Sequence, residues 1–248
     1  MSLHLYPPLT PRRALLSRPG IIGGIVSLSV AIALLASING SDALLLVDEP
    51  IQRWLIDHRG DRWTTVALWF SRLGSNPVVF VVSGVLVLWA WRRCGTLAFT
   101  LAVAVISRPP LEFLLKELVD RDRPNLSPLV DGTGPSHPSG HVLAAVALWG
   151  LLPPLVSTFI RSKALWWATA SVAGVLIVGI SASRVYLGVH WFTDIVQGML
   201  LGSLYLAALE CLLVHNHRLR QCAVLGEPAE SRAGYSRPSS RSGRITAT

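Results

Sequence analysis

Charge is scarce in this chain, and acidic charge most of all. Of 248 residues, 14 are Asp or Glu against 22 Lys or Arg, and charged residues make up 15% of the total while 51% are hydrophobic. Such a balance suits a polytopic membrane protein better than a soluble domain. Cysteine is limited to Cys94, Cys211 and Cys222. No two of them have metal-ligand spacing, so the sequence predicts neither a zinc cluster nor a disulfide framework. There is no internal repeat. The net charge of +8 raises the question of nucleic acid, but the excess sits in short segments between apolar runs and in the C-terminal tail. That pattern is a topology signal and an anionic-lipid contact, not a nucleic-acid groove.

What the chain does have is apolar runs long enough to cross a bilayer. Residues 1–20 are polar and Pro-rich, with Arg12, Arg13 and Arg18. Ile21–Ile38 follows and reads as a retained span, because it is long for a signal peptide and no clear small-residue cleavage site follows. Further spans are expected over Pro77–Trp91, Gly95–Leu115, from Pro138 to about Ile160, over Ala164–Ile180, and from His190 to about Val214. Pro153-Pro154 should kink the fourth. Arg108-Pro109-Pro110 interrupts the far half of the third, where a charge needs a partner; Glu112, one turn on, is the candidate. Glu210 lies deep in the sixth span, without an assigned role. The expected architecture is an all-α bundle of six transmembrane helices over 21–214, followed by a disordered basic tail over 215–248.

An even number of spans puts both termini on one side. The basic segments 1–20, Arg92-Arg93, Arg161–Lys163 and the tail then share that side, and most acidic residues fall in the opposite loops. The positive-inside rule therefore predicts cytoplasmic termini in a cell (inner) membrane, with the loops 116–138 and 181–190 on the outer, periplasmic side. Residues 39–74 mix Asp and Arg with Trp54, Trp63 and Trp69. They read either as helices lying at the membrane interface or as a lid over a site.

Three polar clusters lie on the outer face. The first is Lys116 with Arg123-Pro124. The second is Pro138-Ser139-Gly140-His141. The third is Ser183-Arg184 with His190 and Asp194. On a helix, His190 and Asp194 share a face, so the carboxylate can hold one ring nitrogen and leave the other as a nucleophile or base. Arg184, across a turn at Gly188, suits an oxyanion. The alternative for this last stretch is an interfacial helix start with Arg, Tyr, Trp and His at headgroup level. Singly, each residue has a structural use: Lys116 as a snorkelling helix end, Ser139 as an N-cap, Gly140 as a tight turn. Jointly they supply the cations, imidazoles and helix start that phosphoryl transfer requires. Asp120, Arg121 and Asp122 read as solvated loop charges. His137 and His141 have zinc spacing only on a helix, which Pro138 disfavours.

The order Lys-x6-Arg-Pro, Pro-Ser-Gly-His, Ser-Arg-x5-His-x3-Asp resembles the signature of the type 2 phosphatidic acid phosphatase superfamily, which includes membrane lipid phosphate phosphatases and soluble haloperoxidases. The resemblance covers the third to sixth spans. It implies that His190 attacks phosphorus, that Asp194 fixes its tautomer, and that His141 protonates the leaving oxygen and then activates water. It further implies that Lys116, Arg123, Arg184, Ser139 and the Gly140 amide hold the phosphate, with no cofactor and no metal. The implied substrate is a lipid phosphate or polyprenyl pyrophosphate. A non-catalytic lipid-phosphate carrier or flippase, or a lipid phosphotransferase, is the alternative function.

Overall fold

The computed structural model describes residues 44–159 and 162–220. The expected N-terminal segment 1–20, the span Ile21–Ile38 and the tail beyond residue 220 lie outside the described residues. Eight helices account for nearly all secondary structure described: α1 (Leu45–Asp57), α2 (Asp61–Leu73), α3 (Asn76–Trp91), α4 (Gly95–Val119), α5 (Gly140–Gly150), α6 (Leu152–Phe159), α7 (Lys163–Tyr186) and α8 (Phe192–Arg220).

Among the described residues, α4, α7 and α8 are long and apolar enough to cross a membrane, and α2 with α3 forms a fourth candidate bent by 46°. The break falls at Gly74-Ser75, where Pro77 opens α3. α5 is a shorter apolar helix that continues into α6. Its break is at Leu151, just before Pro153-Pro154, whose missing N–H groups suit the first turn of a new helix better than the middle of an old one. The protein is a membrane protein, and its described residues form helices and no strand. Among the described residues, which hold five of the six expected spans, length and apolarity support three, or four if the bent pair is one span.

Two helix ends differ from expectation in ways that matter for the site. α4 runs on to Val119, with Asp120 in the left-handed region (φ 41°), so Lys116 stands on a helical last turn and not in the loop. α8 starts at Phe192, two residues after His190, and continues to Arg220. No Gly or Pro lies between Gly202 and Arg220 to stop it, so His215–Arg220 is helical and not part of a disordered tail. Cys211 is free and exposed.

α5 is the buried axis of the bundle: Val142, Leu143, Ala144 and Ala145 have almost no exposed surface. Small residues let α8 approach it. A side chain at Gly198 or Gly202 would meet Val142 or Val146. A second core, around Ala98, Leu101, Leu155 and Leu209, joins α3, α4, α6 and α8 at the opposite end. Outward-facing Val81, Leu88, Ile106, Phe113 and Val175 are each more than 60% exposed, which fits contact with lipid tails. α1 and α2 are helices with exposed Trp54, Trp63 and Trp69, as an interfacial position requires, yet their inner faces bury Asp48, Gln52, Ala67 and Ser71. Arg59, between them, donates to the Tyr186 carbonyl at the end of α7 (2.9 Å) and to the Ser127 carbonyl (2.7 Å). The segment is thus clamped to the loops at one end of the bundle.

Candidate active site

That end is where α4 and α7 finish and α5 and α8 begin. Helix N-termini carry unsatisfied N–H groups and partial positive charge, so the starts of α5 and α8 suit an anion, and Lys116 and Arg184 in the last turns of α4 and α7 offset the opposite partial charge of those ends.

His190 lies in the turn before α8, where Gly188 takes φ +76°. Its Nδ1 faces Asp194 Oδ2 at 3.7 Å, and both side chains are buried. The expected pairing is present, but a loop and the first turn of a helix bring it about, not a shared helical face. Asp194 Oδ2 also accepts the Trp191 N–H (2.9 Å) and so caps α8. On the other side of the ring, Arg123 Nη1 stands 3.3 Å from Nε2. A guanidinium can only donate. The contact therefore makes Nε2 the lone-pair atom and places the ring proton on Nδ1, toward the carboxylate. Burial pulls His190 down to about 4; the neighbouring Asp194 opposes this, and Arg123 and Arg184 reinforce it.

Arg123 is fixed by the carbonyls of Val189 (2.7 Å), Gly134 (2.9 Å) and Thr133 (2.8 Å). Desolvation lowers its pKa, but from so high a value that it stays a cation. Arg184, on the last turn of α7, is buried and donates through Nη1 to Ser71 of α2. Its Nε is buried without a hydrogen-bond partner among the described residues, and so is Ser139 Oγ. Ser139 precedes α5 but does not cap it through its side chain. His141, in the first turn of α5, sets its ring edge beside Gly74, 3.4 Å from where a β-carbon there would stand, and lies within electrostatic range of His190, Arg184, Arg108 and Lys116.

Lys116 is held differently. Its Nζ pairs with Glu112 Oε1 (3.2 Å), while Glu112 Oε2 accepts Arg108 Nη1 (2.7 Å). Arg108 is nearly fully buried and also donates to Asn76 Oδ1 (2.8 Å). The expected Arg108–Glu112 pair is present, and its carboxylate lies against the α-carbon of Gly140. The expected residues thus gather at one end of the bundle, with Lys116 in a chain of alternating charge beside the Gly140 helix start.

The PAP2 superfamily pattern matches residues 89–218, just over half of the sequence, a stretch that holds Lys116, Arg123, Ser139, His141, Arg184, His190 and Asp194. The chain belongs to the PAP2 superfamily. It is 29% identical over 188 residues to phosphatidylglycerophosphatase B of Bacillus subtilis, covering 72% of this chain and 89% of that one. It is also 29% identical over 140 residues to an undecaprenyl-diphosphatase of Sulfolobus acidocaldarius, covering 55% and 64%. The crystal structure of a transmembrane PAP2-type phosphatidylglycerolphosphate phosphatase from Bacillus subtilis superposes with a TM-score of 0.70 at 24% identity. It covers 80% of this chain and 98% of that one, which shows a shared fold.

Two residues of this PAP2 chain escaped the sequence reading. Arg121, read there as a solvated loop charge, is mostly buried and bonds both Asp194 Oδ1 and Asp48 Oδ2 at 2.8 Å. The correction has a simple cause: its partners lie more than seventy residues away in both directions. Asp48, on α1 and before the PAP2 match, is buried and accepts the Thr193 N–H (2.9 Å). The one sequence signal was a polar pair, Asp48 and Gln52, one turn apart beside Ile51 and Leu55. His137 is buried too, with Nδ1 3.5 Å from Asp194 Oδ1. Among the described residues no group of three or more His, Cys, Asp or Glu is placed to hold a metal ion.

Proposed function

We propose that this protein hydrolyses a lipid phosphate or polyprenyl pyrophosphate through a phosphohistidine on His190. The observation that carries the reading is the orientation of His190: one nitrogen faces a buried carboxylate, and the other is turned to the Arg123 guanidinium. A ring so oriented has its nucleophilic lone pair aimed at the place where a phosphoryl group is best stabilised.

In the first step the Nε2–P bond forms and the bond from phosphorus to the leaving oxygen breaks, the lipid's own oxygen in a monophosphate and the bridging oxygen in a pyrophosphate. His141 gives its proton to that oxygen. The negative charge brought by the phosphate favours the protonated ring among so many cations. In the second step water gives a proton to His141, its oxygen bonds phosphorus, and the P–N bond breaks to release phosphate. Asp194 offsets the positive charge that the His190 ring carries between the two steps. Arg123, Arg184 and Lys116 hold the phosphoryl oxygens, with Ser139 Oγ and the amides of Gly140 at the start of α5. Three fixed cations supply the charge stabilisation, so the scheme runs through no metal.

The lipid tail enters between helices from the bilayer. The full arrangement is six spans with both termini cytoplasmic and the site on the outer face, where polyprenyl pyrophosphate, phosphatidylglycerol phosphate and phosphatidic acid all present a phosphate. Purified protein in detergent, assayed on these three lipids with EDTA, should release phosphate and be inhibited by vanadate, which takes the five-coordinate shape of the transition state. His190→Ala should lose at least about a thousandfold, and an acid-labile phosphoprotein should be trapped only with His190 present. Activity that survives His190→Ala would refute the reading.

A further inference from the structure

Helix α1 sends one carboxylate into the site end. Asp48 is 1% exposed. Its Oδ1 accepts the Thr193 N–H at 2.9 Å, and its Oδ2 accepts the Thr193 hydroxyl at 2.6 Å and Arg121 Nη2 at 2.8 Å. The other end of the same guanidinium donates to Asp194 Oδ1 and to Thr193 Oγ, both at 2.8 Å. Arg121 also lies over the Trp191 ring, 5.7 Å from its centre. One cation is therefore shared by two buried carboxylates, and the second of these faces His190.

We propose that Asp48 and Arg121 are positioning residues that set the strength of the His190–Asp194 couple, Arg121 by orienting Asp194 and Asp48 by taking up half of the Arg121 charge. This rests on the phosphohistidine reading above. The physical argument is one of charge balance. Arg121 alone beside Asp194 would cancel the carboxylate and weaken its hold on the Nδ1 proton. With Asp48 present, the trio keeps one net negative charge, which stabilises the His190 ring when it becomes positive on accepting the phosphoryl group. His190 is otherwise faced by Arg123 from the loop, Arg184 from α7 and His141 from α5; His137 flanks Asp194, and Arg108, Glu112 and Lys116 line α4 nearby. Every cation in that set acts against a positive ring, and Glu112 is already paired with Arg108 and Lys116, so the negative charge delivered by α1 is the one left to support the ring beside Asp194.

If instead Asp48 only caps α8, its charge should not matter, because an asparagine oxygen accepts the Thr193 N–H equally well. That difference is measurable. In Asp48→Asn, kcat should fall about tenfold with KM within about twofold, and the acid limb of the kcat/KM profile should move to lower pH. In Arg121→Met the net charge changes in the opposite sense, so the limb should move to higher pH; Arg121→Lys should return it toward wild type. Should Arg121→Met fail to fold, the Asp48→Asn and Arg121→Lys profiles decide alone. Limbs that do not move, or that move the same way in Asp48→Asn and Arg121→Met, would overturn the proposal, as would an Asp48→Asn kcat equal to wild type. His190→Ala, run beside them, separates the two failures: if it stays active the underlying reading falls, and if it is dead while the Asp48 and Arg121 variants are unaffected only this inference falls.

Discussion

The carboxylate of Glu112 lies against the α-carbon of Gly140, where a β-carbon would stand. The two residues belong to different helices, and the contact sets Lys116 beside the start of α5. Any side chain at 140 must push the carboxylate away from Lys116 and Arg108, which anchor it at 3.2 and 2.7 Å. Gly140→Ala should therefore lower stability by about 1–3 kcal/mol and activity by about tenfold or more. Glu112→Ala should relieve part of the steric cost, so the double variant should be more stable than the sum of the singles predicts. Thermal unfolding in detergent of all four proteins checks this.

Ser139 separates binding from folding. Its hydroxyl is buried and makes no hydrogen bond with the described residues. Removing an unpartnered buried hydroxyl costs the fold nothing and can stabilise it. Ser139→Ala should keep or slightly raise the unfolding temperature while kcat/KM drops about tenfold. A loss of stability would mean that the hydroxyl serves the fold after all.

The His190 ring gives the pH dependence a sign. Its ordinary value of 6.5 is brought to about 4, chiefly by burial. The neutral, nucleophilic ring therefore persists down to about pH 4, and the acid limb of kcat/KM should lie well below 6.5. The same shift is a stability statement: a group whose value is depressed on folding contributes stability above 6.5, lost as pH falls through 4. The loss should total on the order of 3 kcal/mol. His190→Asn should show a flatter stability profile between those pH values, measured as the wild-type-minus-variant difference in detergent.

Gly188 takes φ +76° in the turn that delivers His190, and a β-carbon there would stand 3.0 Å from Arg59 Nη2 and 3.1 Å from the Pro128 α-carbon. The left-handed conformation alone costs an alanine about 1–2 kcal/mol, and the Pro128 backbone cannot move aside cheaply. Gly188→Ala should lower the unfolding temperature and reduce kcat, since the turn fixes the distance from His190 to Asp194. Unfolding and turnover measured on the same preparation test both effects.

Much of the site was legible because its residues recur at short, fixed spacing: Pro138 to His141 in four consecutive positions, and Ser183 to Asp194 within one turn and two helix ends. Spacing also misled. His190 and Asp194 looked like neighbours on one helix, yet His190 precedes the helix and a loop sets the angle. Lys116 looked like a loop residue, because the charges after it resemble a break; the helix in fact continues one more turn to Val119.

Arg121 and Asp48 show the limit most clearly. Nothing near Arg121 in sequence indicates a buried partner, and an Asp in an amphipathic helix reads as solvated. Hydropathy and charge pattern determined that this is a helical membrane protein, and the order of three short motifs determined its superfamily, because both are local properties of the chain. Which charges are shared, which hydroxyl is left unpaired and which way the His190 ring turns were decided only in the tertiary structure, where residues separated by 73 or 145 positions meet within hydrogen-bond range. Those pairings depend on burial, and burial is a property of the packed helices together.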